Sequence, residues 1–344
     1  MSLDLASMTT EGVDPRFAAI DTLPAAELVA LMNREDATVA GAVATQTAQI
    51  AAAAEATVAR LRRGGRLVYA GAGTAGRLGV LDAAECPPTF ATDPGQVRGL
   101  IAGGPAALTT AVEGAEDDGD RAVADLQAIG LGADDVLVGI SASGRTPYAV
   151  AAVRHGRAVG ACTVGLACNA GSALAAAADI GIEVVVGPEV LAGSTRLKAG
   201  TAQKMVLNQI STAAMVGLGK TYGNLMVDVR ATNQKLRARA RRIVALATGA
   251  PDAAVDAALT ANGGEAKRAI LAILGGLGPD DVVRRLAAHD GSLRRALDGL
   301  PDAGPTGPGH GGPAPTGPRP GGPAPTSPGP TGPNETRTEG VSHG

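Results

Sequence analysis

Residues 66–90, RLVYAGAGTAGRLGVLDAAECPPTF, decide the fold. Positions 66–70 read as a short apolar strand, Gly71-Ala72-Gly73-Thr74-Ala75-Gly76-Arg77 as a glycine-rich turn, and the residues from Leu78 onward as an apolar helix. Such a unit is an anion site, because the first N–H groups of a helix have no intrahelical acceptor and point outward. The helix delivers a carboxylate, Glu85, to its far end, where Pro87 and Pro88 are expected to stop it. A phosphate is expected at one end of the unit and acid–base chemistry near the other.

Working outward, the short apolar runs 97–102 (VRGLIA), 136–140 (VLVGI), 161–166 (ACTVGL) and 182–186 (IEVVV) alternate with helical segments. That alternation predicts an α/β fold, with a five-stranded parallel sheet covered by helices on both faces. Residues 1–20 lack periodicity and read as an arm, able to fold over a neighbouring subunit. A helix follows Thr22, with Pro24 in its first turn, and a longer one runs to about residue 63, ended by Gly64-Gly65. A helix runs from GAEDD to Ile129, and long helices are expected at about 196–217 and 224–247. The last of these could rest on the sheet. Three amphipathic patterns in 251–300 predict a three-helix subdomain. The expected organisation is an N-terminal arm and helices (1–56), an α/β domain (57–220), a C-terminal helical region (221–300) and a tail (301–344). The tail is rich in Pro and Gly, repeats GGPAPT at 311–316 and 321–326, and is expected to be disordered.

Composition narrows the functions. The net charge of −3 offers no basic surface for nucleic acid. No run of 18 apolar residues predicts a membrane span, and the N-terminus lacks a secretory pattern. Cys86, Cys162 and Cys168 show no metal spacing and read as reduced thiols of a cytoplasmic protein. The scattered histidines offer no metal site.

Three constellations can carry chemistry. Gly71-x-Gly73-x-x-Gly76 fits a dinucleotide loop, but no acidic residue closes a second strand about 20 residues on. Asp93 lies in a Thr-Asp-Pro-Gly turn, and a tight turn packing a helix on a sheet explains the same letters. Ser141-Ala142-Ser143-Gly144-Arg145-Thr146 sets small hydroxyls between a strand and a helix, which suits a phosphate monoester; ordinary capping by Ser143 or Thr146 is the plainer alternative. Ser194-Thr195 repeats the theme before a helix whose first turn holds Lys198, a cation that opposes the helix dipole unless it meets an anion. Among carboxylates, Glu85 ends an apolar helix; Glu113 and Glu116 lie three apart in AVEGAEDD, and Glu116, Asp117 and Asp118 suit a helix N-terminus.

These residues resemble the N-acetylmuramic acid 6-phosphate etherase family of the sugar isomerase (SIS) domain superfamily. The resemblance rests on GAGTAGRLGVLDAAECPPTF, LIAGG, AVEGAEDD, DVLVGISASGRTPY, TVGLACNAGSAL, EVLAGSTRLKAGTAQKMVLNQIST and YGNLMVDVRATNQKL, in the family's order over roughly residues 8–300. It implies a three-layer SIS sandwich, a homodimer, a sugar 6-phosphate as substrate and no cofactor. It also implies that Glu85 of ECPPT and Glu116 of VEGAED are the acid–base pair. Gly73, Thr74, Gly76, Arg77, Ser141, Ser143, Gly144, Thr146, Ser194, Thr195 and Lys198 are the candidate substrate and phosphate positions. Ala75 departs from the family's usual GTSGR turn and removes one hydroxyl; the tail after Leu300 lies outside the family pattern. Two other activities would suit the same core. One is a sugar-phosphate aldose–ketose isomerase. The other is a sugar-phosphate-sensing regulator, which needs neither glutamate.

Overall fold

The computed structural model describes residues 8–229 and 233–300. The tail at 301–344 lies outside them. Three helices lead in: α1 (Ala25–Asp36), α2 (Val39–Ala44) and α3 (Thr47–Leu61). The single long helix expected up to residue 63 is broken between α2 and α3. There the Thr45 and Thr47 hydroxyls bond the Ala42 and Ala44 carbonyls three residues back, a local bond that competes with helix continuation.

The sheet is built from β1 (Leu67–Gly71), β2 (Val97–Ile101), β3 (Val136–Ser141), β4 (Cys162–Ala167) and β5 (Ile180–Glu183). All pairings are parallel, in the order β2-β1-β3-β4-β5. Side chains alternate across each strand. Leu67 and Tyr69 of β1 join the core under α3, α4 (Gly73–Phe90) and α8 (Lys198–Gly217), while Val68 and Ala70 join the opposite core. That second face is covered by α5 (Gly119–Ala128), α6 (Pro147–Ala158) and α7 (Ala173–Ala177). The outermost strand lies two residues earlier than expected. β5 pairs only with β4, so Val184 and Val186 are buried beyond the end of the ladder.

α4 does not stop at its prolines. It continues through Pro87 and Pro88 to Phe90, and Ala91, at φ +50°, closes it by donating to the Pro87 carbonyl. The prolines remove the amides that would reach Ala83 and Ala84. Burial of Cys86 and Phe90 in the sheet core offsets that loss.

The expected helix at 224–247 begins ten residues late. Thr221–Tyr222 (β6) and Leu225–Met226 (β7) form an antiparallel hairpin, turning at Gly223 with φ +57°, and α9 (Gln234–Thr248) starts where Asn233 caps it. α9 does not rest on the sheet. Its Ile243 and Val244 join a separate apolar core with α10 (Asp252–Ala261), α11 (Ala266–Gly275), α12 (Pro279–Ala288) and α13 (Leu293–Leu297). The third amphipathic pattern thus splits in two, at Asp290 and Gly291, both with positive φ. Lys267 fastens this region to the end of α8. Its ammonium donates to Asp228 and to the Gly219 and Gly291 carbonyls, and burial pulls its pKa down against the opposing pull of Asp228.

Candidate active site

β1 and β3 are neighbours, but the chain leaves them in opposite directions, β1 toward β2 and β3 toward β4. In open parallel sheets ligands sit outside the carboxyl ends of such a pair. The glycine turn and the serine loop are the two connections there, set level by the pairing of Gly71 with Ile140.

In the glycine turn, α4 starts at Gly73, whose φ is +53°. Ala72 provides no side-chain cap, so the first-turn amides face the crevice. A Cβ on Gly76 would stand 2.6 Å from the Gly71 carbonyl oxygen, so only glycine lets the first turn lie on the strand. Thr74 is half-buried beside the start of α8, where a Cβ on Gly200 would touch its methyl at 3.4 Å. Arg77 reaches the other way: its Nε donates to the Leu108 carbonyl at 3.1 Å.

The serine loop is a preformed hydroxyl cluster. Ser141 Oγ lies 2.7 Å from Thr146 Oγ1 and 3.2 Å from Ser143 Oγ, and it accepts from the Gly144 amide at 3.0 Å. Thr146 occupies the cap position of α6 without capping it; its hydroxyl is turned to Ser141. Ser143 accepts from the Arg145 amide, two residues on, and caps no helix either. Gly144, at φ +68°, lies so close to Ser172 that a Cβ would meet that residue's Cβ at 2.4 Å.

The third element, at the start of α8, is already filled. Glu189, almost fully buried, accepts the Lys198 and Ala199 amides at 2.9 Å each. The anion that Lys198 meets is Glu35 of α1, at 3.1 Å, and Glu35 is also held by Arg16 at 2.8 Å. Lys198, a candidate phosphate ligand from the sequence, is buried in this ion pair instead. Ser194 and Thr195 remain half-buried on the loop before it. The N-terminal arm folds over its own chain. Thr9 Oγ1 donates to Asn169 Oδ1 at 2.8 Å, and Asn169 Nδ2 donates to Thr10 Oγ1 and to the Ala142 carbonyl of the serine loop.

The two glutamates stand apart from this polar cluster. Glu116 is exposed in a 3-10 turn, Ala115–Asp117, that packs on α6. Asp118, not Glu116, caps α5, accepting from the Arg121 amide. Glu85 is exposed near the far end of α4. Among the described residues neither glutamate has a hydrogen bond or ion pair. The helix around Glu85 is nevertheless firmly anchored. One turn earlier, buried Asp82 accepts from Tyr69 of β1 at 2.6 Å, and from Asn208 and Ser211 of α8. Next to Glu85, Cys86 turns inward; burial, then the charges of Asp82 and Glu85, push its thiol up to about 12.

Asp82, Glu189 and Asn169 were not singled out from the sequence. Asp82 had a signal, an acid inside an otherwise apolar helix three residues before Glu85. Asn169 had none, because it bonds the arm 159 residues earlier, and Glu189 had none, because a loop acid nine residues before a helix carries no capping spacing.

Comparison with known proteins gives the chain's relatives. Residues 49–156 match the glucokinase regulatory protein N-terminal SIS domain and residues 118–213 match the SIS domain. The N-acetylmuramic acid 6-phosphate etherase of Streptomyces avermitilis is 64% identical over 88% of this chain and 97% of its own. The proteins of that name from Rubrobacter xylanophilus and Mycolicibacterium smegmatis are 60% and 56% identical, over 85% and 86% of this chain and 97% and 99% of theirs.

Proposed function

From its membership of the N-acetylmuramic acid 6-phosphate etherase family, we propose that this chain removes the D-lactyl group of N-acetylmuramic acid 6-phosphate. The products are N-acetylglucosamine 6-phosphate and D-lactate, and the reaction serves amino-sugar recycling in the cytoplasm. The observation that carries this reading is the pair of exposed, unpaired glutamates, Glu85 and Glu116, on a fold whose switch-point crevice holds a hydroxyl cluster.

An ether resists direct displacement because an alkoxide leaves poorly. In the open-chain sugar the C2 hydrogen is acidified by the C1 aldehyde. Glu116 takes that proton, and the C2–H electrons form the C2–C3 double bond as the C3–O bond breaks. Glu85 gives its proton to the departing lactyl oxygen. It then takes a proton from water, whose oxygen adds at C3 while C2 is reprotonated. Two carboxylates in opposite protonation states suffice for these transfers. The phosphate is assigned to the serine loop at Ser141, Ser143, Gly144 and Thr146 and to the first turn of α4 at Gly73, Thr74, Gly76 and Arg77, whose guanidinium must leave the Leu108 carbonyl to join it. Its grip supplies binding energy remote from the breaking bond. Ser194 and Thr195 line the sugar from the α8 side. Lys198 stays with Glu35 and holds that loop. We read the working enzyme as a homodimer.

Incubation with N-acetylmuramic acid 6-phosphate in ¹⁸O-water tests the proposal. D-lactate should appear with its oxygen unlabelled and the label at the sugar C3 hydroxyl. Label in lactate would mean a different bond is cut, and an unchanged lactyl sugar would leave isomerisation or ligand sensing in its place.

A further inference from the structure

The substrate of the proposed reaction carries two anions a sugar length apart. The phosphate has the serine loop and the first turn of α4. The lactyl carboxylate, on the far side of C3, has no partner among those residues. It also has to approach the carboxyl groups of Glu85 and Glu116, and like charges brought together without a counter-ion repel. The sugar side of the crevice therefore needs a cation of its own.

The cations of the crevice loops differ in what they already hold. Lys198 is buried against Glu35 at 3.1 Å. Arg77 donates to the Leu108 carbonyl and belongs to the phosphate end. Arg145 follows Gly144 of the serine loop, but it lines a groove along α6 with Val150, Ala151 and Arg154. Arg196 remains. It is exposed, and its side chain makes no hydrogen bond or ion pair among the described residues. Glu11 of the arm reaches the same loop, with Oε2 3.1 Å from where a Cβ on Gly193 would stand, and it does not pair with Arg196.

Arg196 is also held in place. The Ser194 amide donates to the Leu191 carbonyl at 2.9 Å, the Leu197 amide to the Ser194 carbonyl at 3.2 Å, and the Gly200 amide to the Thr195 carbonyl at 2.9 Å. A Cβ on Gly200 would stand 3.4 Å from the Thr74 methyl and 3.5 Å from the Thr195 carbonyl oxygen. The glycine turn and the residue before Arg196 thus meet at one point. The Lys198 and Ala199 amides, which could compete for an anion, are taken by Glu189. The guanidinium is the donor this loop leaves free, and its planar fork matches a carboxylate with two parallel N–H···O bonds.

Resting on the etherase reading, we infer that Arg196 binds the lactyl carboxylate and is the specificity residue of the site. It distinguishes the lactyl ether from the N-acetylglucosamine 6-phosphate that forms. Once the C3–O bond is cut the carboxylate leaves with lactate, and the sugar product keeps no contact with Arg196.

Comparing the two sugars on one variant tests this. Arg196→Ala should raise KM for N-acetylmuramic acid 6-phosphate roughly ten- to a hundredfold, the loss of a bidentate charged pair. N-acetylglucosamine 6-phosphate, which lacks the carboxylate, should inhibit the variant and raise its melting temperature as it does the parent's. Arg196→Lys keeps the charge without the fork and should fall between, and it carries the comparison alone if Arg196→Ala does not fold. An unchanged KM overturns the proposal. Equal weakening of both sugars also overturns it, because it would put Arg196 on the phosphate or in the scaffold of the loop. If the parent releases no lactate, the etherase reading fails by itself. The two sugar phosphates are then titrated into parent and variant by calorimetry: a preference for the lactyl sugar that vanishes with the arginine upholds the assignment, and no such preference ends it.

Discussion

The two ends of α4 are built on opposite principles. At the first, glycines bring the backbone against β1, and the neighbouring hydroxyls hydrogen-bond one another before any ligand arrives. At the other, Glu85 stands exposed and unpaired on an apolar face, while Asp82 and Cys86 one turn away or adjacent are buried. On the proposed function the first end binds a fixed charge, where donors already in place cost little rearrangement. The second leaves its carboxylate exposed to solvent and fixes only the helix that carries it. Binding and proton transfer are thus separable, and substitutions should split along that line.

The largest expected effect lies with the carboxylates. Glu85→Gln or Glu116→Gln should lower kcat for lactate release by roughly a hundred- to ten-thousand-fold. Thermal stabilisation by N-acetylglucosamine 6-phosphate should persist in both. Ser141→Ala should do the reverse, raising KM about tenfold for one lost bond to an anion while most of kcat remains. Equal kcat and KM effects at both ends, measured by steady-state kinetics, would erase the distinction.

Next in size is the helix start that resembles a binding end but is occupied internally. Lys198→Met leaves Glu35 buried beside Arg16 alone. Breaking a buried pair from one side costs about 3–5 kcal/mol, so the melting temperature should fall several degrees by calorimetry. KM should change little, because the Lys198 ammonium bonds Glu35 and the α8 amides are held by Glu189. A large KM increase with an unchanged melting temperature would return Lys198 to the phosphate.

These contrasts also show what the sequence could disclose. β1 to β4, the glycine turn and the serine loop were legible because each is local: apolar runs, Gly and Ser fix them within a few residues. The passage of α4 through Pro87-Pro88 was not, since it depends on Cys86 and Phe90 meeting a core to which strands as far along the chain as β4 and β5 contribute. The hairpin at 221–226 was hidden beneath apolar residues that fit a helix equally well, and Gly223 decided it. Lys198 is the sharpest case. The mismatch between its charge and the helix dipole correctly called for an anion, yet the anion comes from α1, 163 residues earlier.

The smallest expected effect concerns the anchoring of the catalytic end. Tyr69→Phe removes one of the hydrogen bonds to the buried Asp82 carboxylate and leaves Asn208 and Ser211 in place. Loss of a bond to a charged group costs about 1.5–3 kcal/mol, and the looser last turns should lower kcat more than KM. Cys86 reports the same motion without turnover. Its thiol, raised to about 12, stays protonated and buried near pH 8 and should resist thiol reagents in the parent. Because burial lifts the thiol above its ordinary value of about 9, ionisation costs the fold nothing below about pH 9 and destabilises it as pH climbs toward 12. In Tyr69→Phe, labelling of Cys86 near pH 8 should become measurable by mass spectrometry while Cys168, buried beside α8 and beyond this network, stays protected. If Cys86 stays as silent as in the parent and kcat is unchanged, Asn208 and Ser211 hold Asp82 without the tyrosine, and the anchor of the glutamate end lies wholly in α8.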